Sequence, residues 1–255
     1  MTNKEYHSLE SISASDLKSI AECPAKWHYN KSNPKEETDA MRQGTAIHTA
    51  ILEPHLYDEQ IAVLSKIDRR TKAGKDAYAE FVESSKDKTI ITQDQNEIAQ
   101  SCKEAVMADN IASQLLTHNE ALIEQSMFWT DPETGIECRT RPDYIGNAVI
   151  DIKSTRNASP QSFMRDAYNM KYHIQAAFYL DGVCANGMEI NKFVFIAIEK
   201  DAPFILQTYV ADDAFIERGR EDYKKALATL IRCRETGNYP SYETGIQTLE
   251  LPKWI

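Results

Sequence analysis

Apolar and polar residues follow two different periods along this chain, and the change between them divides it. Through the first half the apolar positions recur every three to four residues, which is helical spacing. Leu17, Ile20 and Ala21 form one stripe, opened by Ser13 and Asp16 at capping-box spacing. Pro24 restarts a short helix carrying Trp27 and Tyr29. Residues 43–53 predict a helix with Ile47, Ala50 and Ile51 on its buried face, stopped by Pro54. The charged stretch 65–88, with Gly74 inside it, reads as a loop followed by a helix. Residues 94–116 read as one long helix with Ile98, Cys102, Ala105 and Val106 on one face.

Beyond about residue 119 the period falls to two. Residues 122–129 and 136–141 predict a hairpin around the turn Asp131-Pro132-Glu133-Thr134-Gly135. Residues 148–153 predict a short strand, apolar until Asp151. Ser159-Pro160 opens a helix to 168, and a second runs from 173 to 185. Strands at 193–198 and 204–210 and an amphipathic helix over 212–234 complete the pattern. The expected fold is α/β (mixed α+β), one central mixed sheet flanked by helices. A mostly helical part (1–118) precedes the core (119–236) and a tail (237–255) containing Trp254. No repeat or flexible linker splits the chain.

Composition narrows the function classes. An apolar fraction of 42% over 255 residues is ordinary for a soluble domain. No apolar run approaches the roughly 20 residues that span a bilayer, so no membrane partner is expected. The first residues lack the apolar stretch of a signal peptide, which points to the cytoplasm. Cys23, Cys102, Cys138, Cys184 and Cys233 are scattered and never spaced C-x-x-C, so reduced, mostly buried thiols are expected rather than disulfides or a cysteine metal site. The net charge of −10 counts against a broadly basic DNA-binding surface, though not against a local groove. Basic residues gather at Lys66, Arg69, Arg70, Lys72 and Lys75, and at Arg139, Arg141, Lys153, Arg156 and Arg165.

The candidate chemistry lies at Arg141-Pro142-Asp143 and Asp151-Ile152-Lys153. Asp151 and Lys153 are two apart on a strand and share a face. Asp143, at the end of the neighbouring strand, can bring its carboxylate to meet that of Asp151. Two converging carboxylates, completed by the Ile152 backbone carbonyl, suit Mg²⁺. Lys153 can orient the attacking water and neutralise charge developing on a phosphate. Taken alone, a D-x-K triplet is more often a solvated salt bridge on an edge strand. The apolar Val149-Ile150 before it argues for a central strand. Glu124, placed mid-strand, fits a ligand of a second metal or of its water, and equally an exposed strand residue. Arg141 fits a bidentate phosphate contact or a salt bridge. Arg69 and Lys75 fit a guide for the DNA backbone or a solvated loop. Trp27 and Tyr29 fit base stacking or core filling, and Trp254 a subunit contact.

Together these residues form the PD-(D/E)XK nuclease pattern. Gly44-Thr45-Ala46-Ile47-His48 resembles the G-x-x-x-H helix of RecB-type nucleases, whose histidine ligates metal. Gln175-Ala176-Ala177-Phe178-Tyr179 resembles their Q-x-x-x-Y helix, with Gln175 and Tyr179 on one face. The chain further resembles the RecE (exonuclease VIII) catalytic family. The likeness runs through Ser13 to Leu17, Leu52-Glu53-Pro54, Arg69-Arg70-Thr71, Ala73-Gly74-Lys75, Asp131 to Ile136, Tyr172-His173 and Leu251-Pro252. It implies His48 as a metal ligand with Asp143 and Asp151, Gln175 positioning the scissile phosphate or the water, and Tyr179 supporting it. Ser15 matches a serine that holds the terminal 5′ phosphate in the lambda-type enzyme. The resemblance also implies Mg²⁺-dependent 5′–3′ degradation of linear double-stranded DNA from its ends, with Mn²⁺ substituting and two ions per site. It implies a homo-oligomeric ring, a tetramer ahead of a trimer, that hands 3′ single strands to a RecT-type annealing protein. The rival expectations are a PD-(D/E)XK endonuclease of repair or restriction type and a catalytically silent DNA-binding ring protein.

Overall fold

The computed structural model describes residues 3–34, 36–242 and 245–249. Helices lead: α1 (Asn3–Ser8), α2 (Ala14–Glu22), α3 (Pro24–Ser32) and α4 (Asp39–Leu52). A 3-10 turn and α5 (Tyr57–Gln60) lead into β1 (Ile61–Leu64), α6 (Lys72–Ser84), β2 (Thr89–Thr92), α7 (Gln93–Ala108) and α8 (Asn110–Leu115). Five strands follow: β3 (Leu122–Ile123), β4 (Met127–Thr130), β5 (Glu137–Thr140), β6 (Tyr144–Ile145) and β7 (Val149–Thr155). After α9 (Pro160–Asn169) and α10 (Tyr172–Ala185) come β8 (Phe193–Glu199), β9 (Leu206–Val210) and α11 (Asp213–Thr236).

The central sheet has the order β3-β6-β7-β8-β9. Within this sheet, among the described residues, only β7 and β8 pair in parallel, and α9 with α10 form the crossover that parallel pairing requires. Side-chain alternation sends these strands into two cores. Val149, Phe193, Phe195 and Ala197 pack with α2, α10 and α11 on one face. Ile150, Ile152, Val194, Ile196 and Ile198 pack with α4, α7 and β2 on the other. Being buried on both sides, β7 has no solvated face on which charge is free to sit, so Asp151 and Lys153 need partners inside the protein.

α10 is apolar nearly all round because it is enclosed by α11, α2 and the β4–β5 hairpin. Its crossing with α11 is close. A Cβ on Gly219 would stand 1.9 Å from the His173 carbonyl oxygen.

The mixed α/β architecture matches the expectation, while several elements differ from it. The helix expected over 94–116 is two helices, because Asp109 turns its side chain onto the N–H groups of Ile111 and Ala112 and caps a new start. The strand expected over 122–129 is broken by Glu124, whose φ is +48°, so β3 joins the central sheet and β4 a separate hairpin. The parallel β1–β2 pair and the two-residue β6 lay below the length at which periodicity is readable. Four cysteines are buried and Cys184 is exposed. Among the described residues no helix is long and apolar enough to cross a membrane. Trp254 lies outside the described residues.

Candidate active site

β7 supplies the centre of the site. Asp151 is 1% exposed, and its Oδ2 lies 2.5 Å from the Lys153 Nζ on the same strand face. Burial alone would lower the Lys153 pKa, but Asp151 and Asp143 outweigh it and raise it, so the ammonium stays charged. Gln175 Nε2, from the first turn of α10, donates to Asp151 Oδ1. Its Oε1 accepts from Lys153 at 3.4 Å and from Lys18 on α2 at 2.8 Å.

Asp143 immediately precedes β6. Its Oδ2 accepts the Ile152 N–H at 2.7 Å and lies 3.3 Å from the His48 Nδ1 on α4. In an extended strand the N–H and C=O of one residue point to the same edge. The Ile152 carbonyl therefore faces the Asp143 side, beyond the last β6–β7 pair, Tyr144 with Ile150. Glu124 follows β3, and its N–H donates to the Asp143 carbonyl. The left-handed backbone at Glu124 releases the chain from the sheet and turns the carboxylate inward.

His48, Glu124 and Asp143 thus offer ligand atoms all within 4.8 Å of one another. Burial and the neighbouring Asp143 push the Glu124 carboxyl up to about 8. Burial, opposed by His48 and reinforced by Asp151, raises Asp143 to about 6. Two carboxyl groups crowded out of water beside an imidazole are short of positive charge, which is the condition a divalent cation relieves.

Both pKa values lie above the usual carboxylate range, so the folded protein holds these protons longer than the unfolded chain. The stability of the metal-free protein is therefore expected to fall as pH rises from about 4 through about 8. A cation must displace the same protons, so Mn²⁺ affinity is expected to rise from pH 6 to pH 8 with proton release on binding. Calorimetry in buffers of different ionisation enthalpy measures both. Affinity independent of pH would remove this trio as the ligand set.

The residues singled out from sequence fall into three groups. His48, Asp143 and Glu124 come together as the trio. Asp151, expected beside Asp143 as a direct ligand, stands outside the trio and is engaged by Lys153 and Gln175. Tyr179, one turn beyond Gln175, has its pKa raised well above the usual value by burial, with Tyr6, Asp151, Asp143 and Glu124 adding to it, so its hydroxyl stays protonated beside the acids. Arg141 donates to the Ser126 hydroxyl from Nε and from its other terminal nitrogen, at 2.9 and 2.7 Å, and lies over the Tyr6 ring. Ser15 is exposed near the start of α2. Arg69 and Lys75 are exposed around the start of α6, where Arg69 stacks on Tyr78, and neither contacts the carboxylates. Trp27 is buried and donates to Asp16, which also completes the α2 capping box, so it fills the core.

Sequence reasoning missed Lys18 and the Tyr172 ring. Lys18 and Lys153 lie 5.0 and 4.8 Å from the centre of that ring. The available signal was weak: Lys18 is three residues after Ser15, on the same side of α2.

With this geometry in place, the chain can be set beside known proteins. The profile of a family described as a PDDEXK-like domain of unknown function (DUF3799) matches residues 13–251. No curated protein matches the chain by sequence. A crystal structure of a Eubacterium rectale protein described as "Putative exonuclease" superposes with a TM-score of 0.68 over 99% of this chain and 95% of that one, at 14% identity, a likeness of fold. A further structure, of SSO0001, reaches a TM-score of only 0.37 at 19% identity over 87% of this chain and 80% of that one.

Proposed function

The chain belongs to the PDDEXK-like family DUF3799, and from that membership we propose that it is a Mg²⁺-dependent exonuclease that degrades linear double-stranded DNA from 5′ ends and leaves 3′ single strands. The observation that carries the reading is the His48–Glu124–Asp143 trio set beside the Lys153–Asp151 pair. Its donors, one imidazole and two carboxylates, fit a hard divalent ion, and Mn²⁺ is expected to substitute. A bound cation would polarise a phosphoryl oxygen and make a bound water easier to deprotonate.

The chain's own residues do the rest. His48, Glu124 and Asp143 would hold the ion, with the Ile152 carbonyl on the same edge. Asp151 keeps Lys153 charged, and a second ion would have to share its carboxylate with Lys153 and Gln175. Lys153 stabilises negative charge gathering on the phosphate. Gln175 fixes Lys153 and Asp151 relative to each other, and Tyr179 closes the acidic side. In this reading Arg141 and Ser15 would meet further phosphates, and Arg69 and Lys75 would guide the duplex; their support is the resemblance and, for Ser15, Arg69 and Lys75, exposure to solvent. Action in the cytoplasm, assembly into a homo-oligomeric ring of four subunits in preference to three, and delivery of the product strand to a RecT-type annealing protein complete the proposal. Their support is the sequence resemblance to the RecE family.

Linear duplex labelled at either end, digested in Mg²⁺ beside a covalently closed plasmid, tests this reading. The 5′ label is expected to leave first, with the closed circle intact. Comparable cutting of the circle would make the protein an endonuclease. Binding to ends without nucleotide release in Mg²⁺ or Mn²⁺ would make it a silent DNA-binding protein.

A further inference from the structure

On the α2 side of the site a second ammonium group faces the same glutamine as Lys153. Lys18 donates to Gln175 Oε1 at 2.8 Å and lies over the Tyr172 ring at 5.0 Å. Among the described residues it makes no ion pair, although Asp16 on the same helix has Lys31 at 3.6 Å and Arg139 at 3.9 Å. The Asp151 carboxylate, whose charge would suit it, is taken by Lys153 and Gln175. Two lysines therefore converge on one amide oxygen and one aromatic face, and only one of them has a counter-anion. Like charges brought together away from water repel unless a third, negative group joins them.

We propose that Lys18 is a phosphate-binding residue that, with Lys153, clasps the oxyanion of a nucleic-acid backbone phosphate over the Tyr172 ring. Gln175 sets the separation of the two ammonium groups, so the pair forms a preorganised seat for one tetrahedral dianion or phosphodiester. Ser15, one turn earlier on α2, leaves a hydroxyl at the exposed end of the same helix face, along which a strand can continue. The state of Lys18 without ligand agrees with this: burial, with Lys153 and Lys171 adding to it and Asp151 opposing, lowers its pKa to about 7. An arriving anion removes that penalty. The inference rests on the phosphodiester reading of the site, and it adds a residue from outside the strand and helix motifs.

The test uses the full chain with Lys18→Gln, which keeps a hydrogen-bond donor one bond shorter and without charge, and Lys18→Arg, which keeps charge. Two probes are titrated in EDTA: inorganic phosphate by calorimetry, and a short blunt duplex by fluorescence anisotropy. Lys18→Gln is expected to weaken both by about tenfold, the loss of one charge-assisted hydrogen bond, and Lys18→Arg to recover most of it. The melting temperature of Lys18→Gln should equal or exceed that of the parent, because an uncompensated charge has been removed. Unchanged affinity for both probes overturns the proposal. So does a lowered melting temperature with no rescue by arginine, which would make the lysine structural. Weakened phosphate binding with unchanged duplex affinity would mark a site for free phosphate and overturn the assignment to a strand. Phosphate and duplex binding that follow Lys18 in a protein that cuts no DNA would sink the nuclease reading while sustaining this one.

Discussion

Asp143→Asn is expected to lower nucleotide release from linear duplex by about 10³-fold or more while leaving the metal-free protein as stable as its parent, or more so. The two effects have opposite signs for one reason. Asp143 is held in the fold by its oxygen accepting the Ile152 N–H, which the carboxamide oxygen of asparagine can still accept. Its negative charge is what a divalent ion requires, and the same charge is disfavoured by burial and by Asp151 when no ion is present. The raised carboxyl pKa, about 6, means that above that pH the folded protein bears a cost absent from the unfolded chain. Asparagine removes the cost along with the ligand. Acid-soluble nucleotide release measures the first effect, and thermal melting in EDTA at pH 8 the second. A stable variant that digests DNA at the parental rate would show that Asp143 holds no catalytic ion.

Gly219→Ala is expected to destabilise the fold by about 3 kcal/mol, the upper range for overpacking a tight interface. The added methyl would meet the His173 carbonyl oxygen at 1.9 Å and its carbon at 2.5 Å, and backbone cannot rotate aside as a side chain can. Relief requires α11 to move away from α10. That loosens the α10–α11 crossing, where the Phe178 ring packs edge-on against Tyr223. Urea unfolding measures the loss. Gly44→Ala is the contrast, since nothing lies within 4 Å of its added methyl. There the gain of a better helix former should stabilise by about 0.5–1 kcal/mol. Equal effects from the two substitutions would mean that the α10–α11 crossing does not limit stability.

The site was legible in the sequence to the extent that burial makes charge conspicuous. Val149-Ile150 announced a strand with no solvent face, so Asp151 and Lys153 on it needed partners, and strand parity placed them on one side together. The turn at 131–135 and the amphipathic last helix were readable for the same local reasons. Two things were not. Which carboxylate meets His48 depends on where β6 ends against β7, and a two-residue strand leaves no periodic trace. Asp143 takes that place, while parity carries Asp151 to the α10 face. Glu124 was read as mid-strand because it lies between apolar Leu122-Ile123 and Met127-Phe128-Trp129, and glutamate gives no local warning of a positive φ. Lys18 meets Gln175 across 157 positions of chain, a juxtaposition that only the packing of α2 on α10 creates.

The central claim is that an imidazole and two buried carboxylates gather a divalent ion beside Lys153 and that this centre hydrolyses phosphodiesters. Its most direct measurement is nucleotide release from linear double-stranded DNA by the purified parent chain in Mg²⁺ and, in parallel, in excess EDTA. The account predicts steady release with the ion and none with the chelator, restored when Mg²⁺ or Mn²⁺ is added back. Release that persists undiminished in EDTA, or a folded protein that releases nothing with either ion, would contradict it.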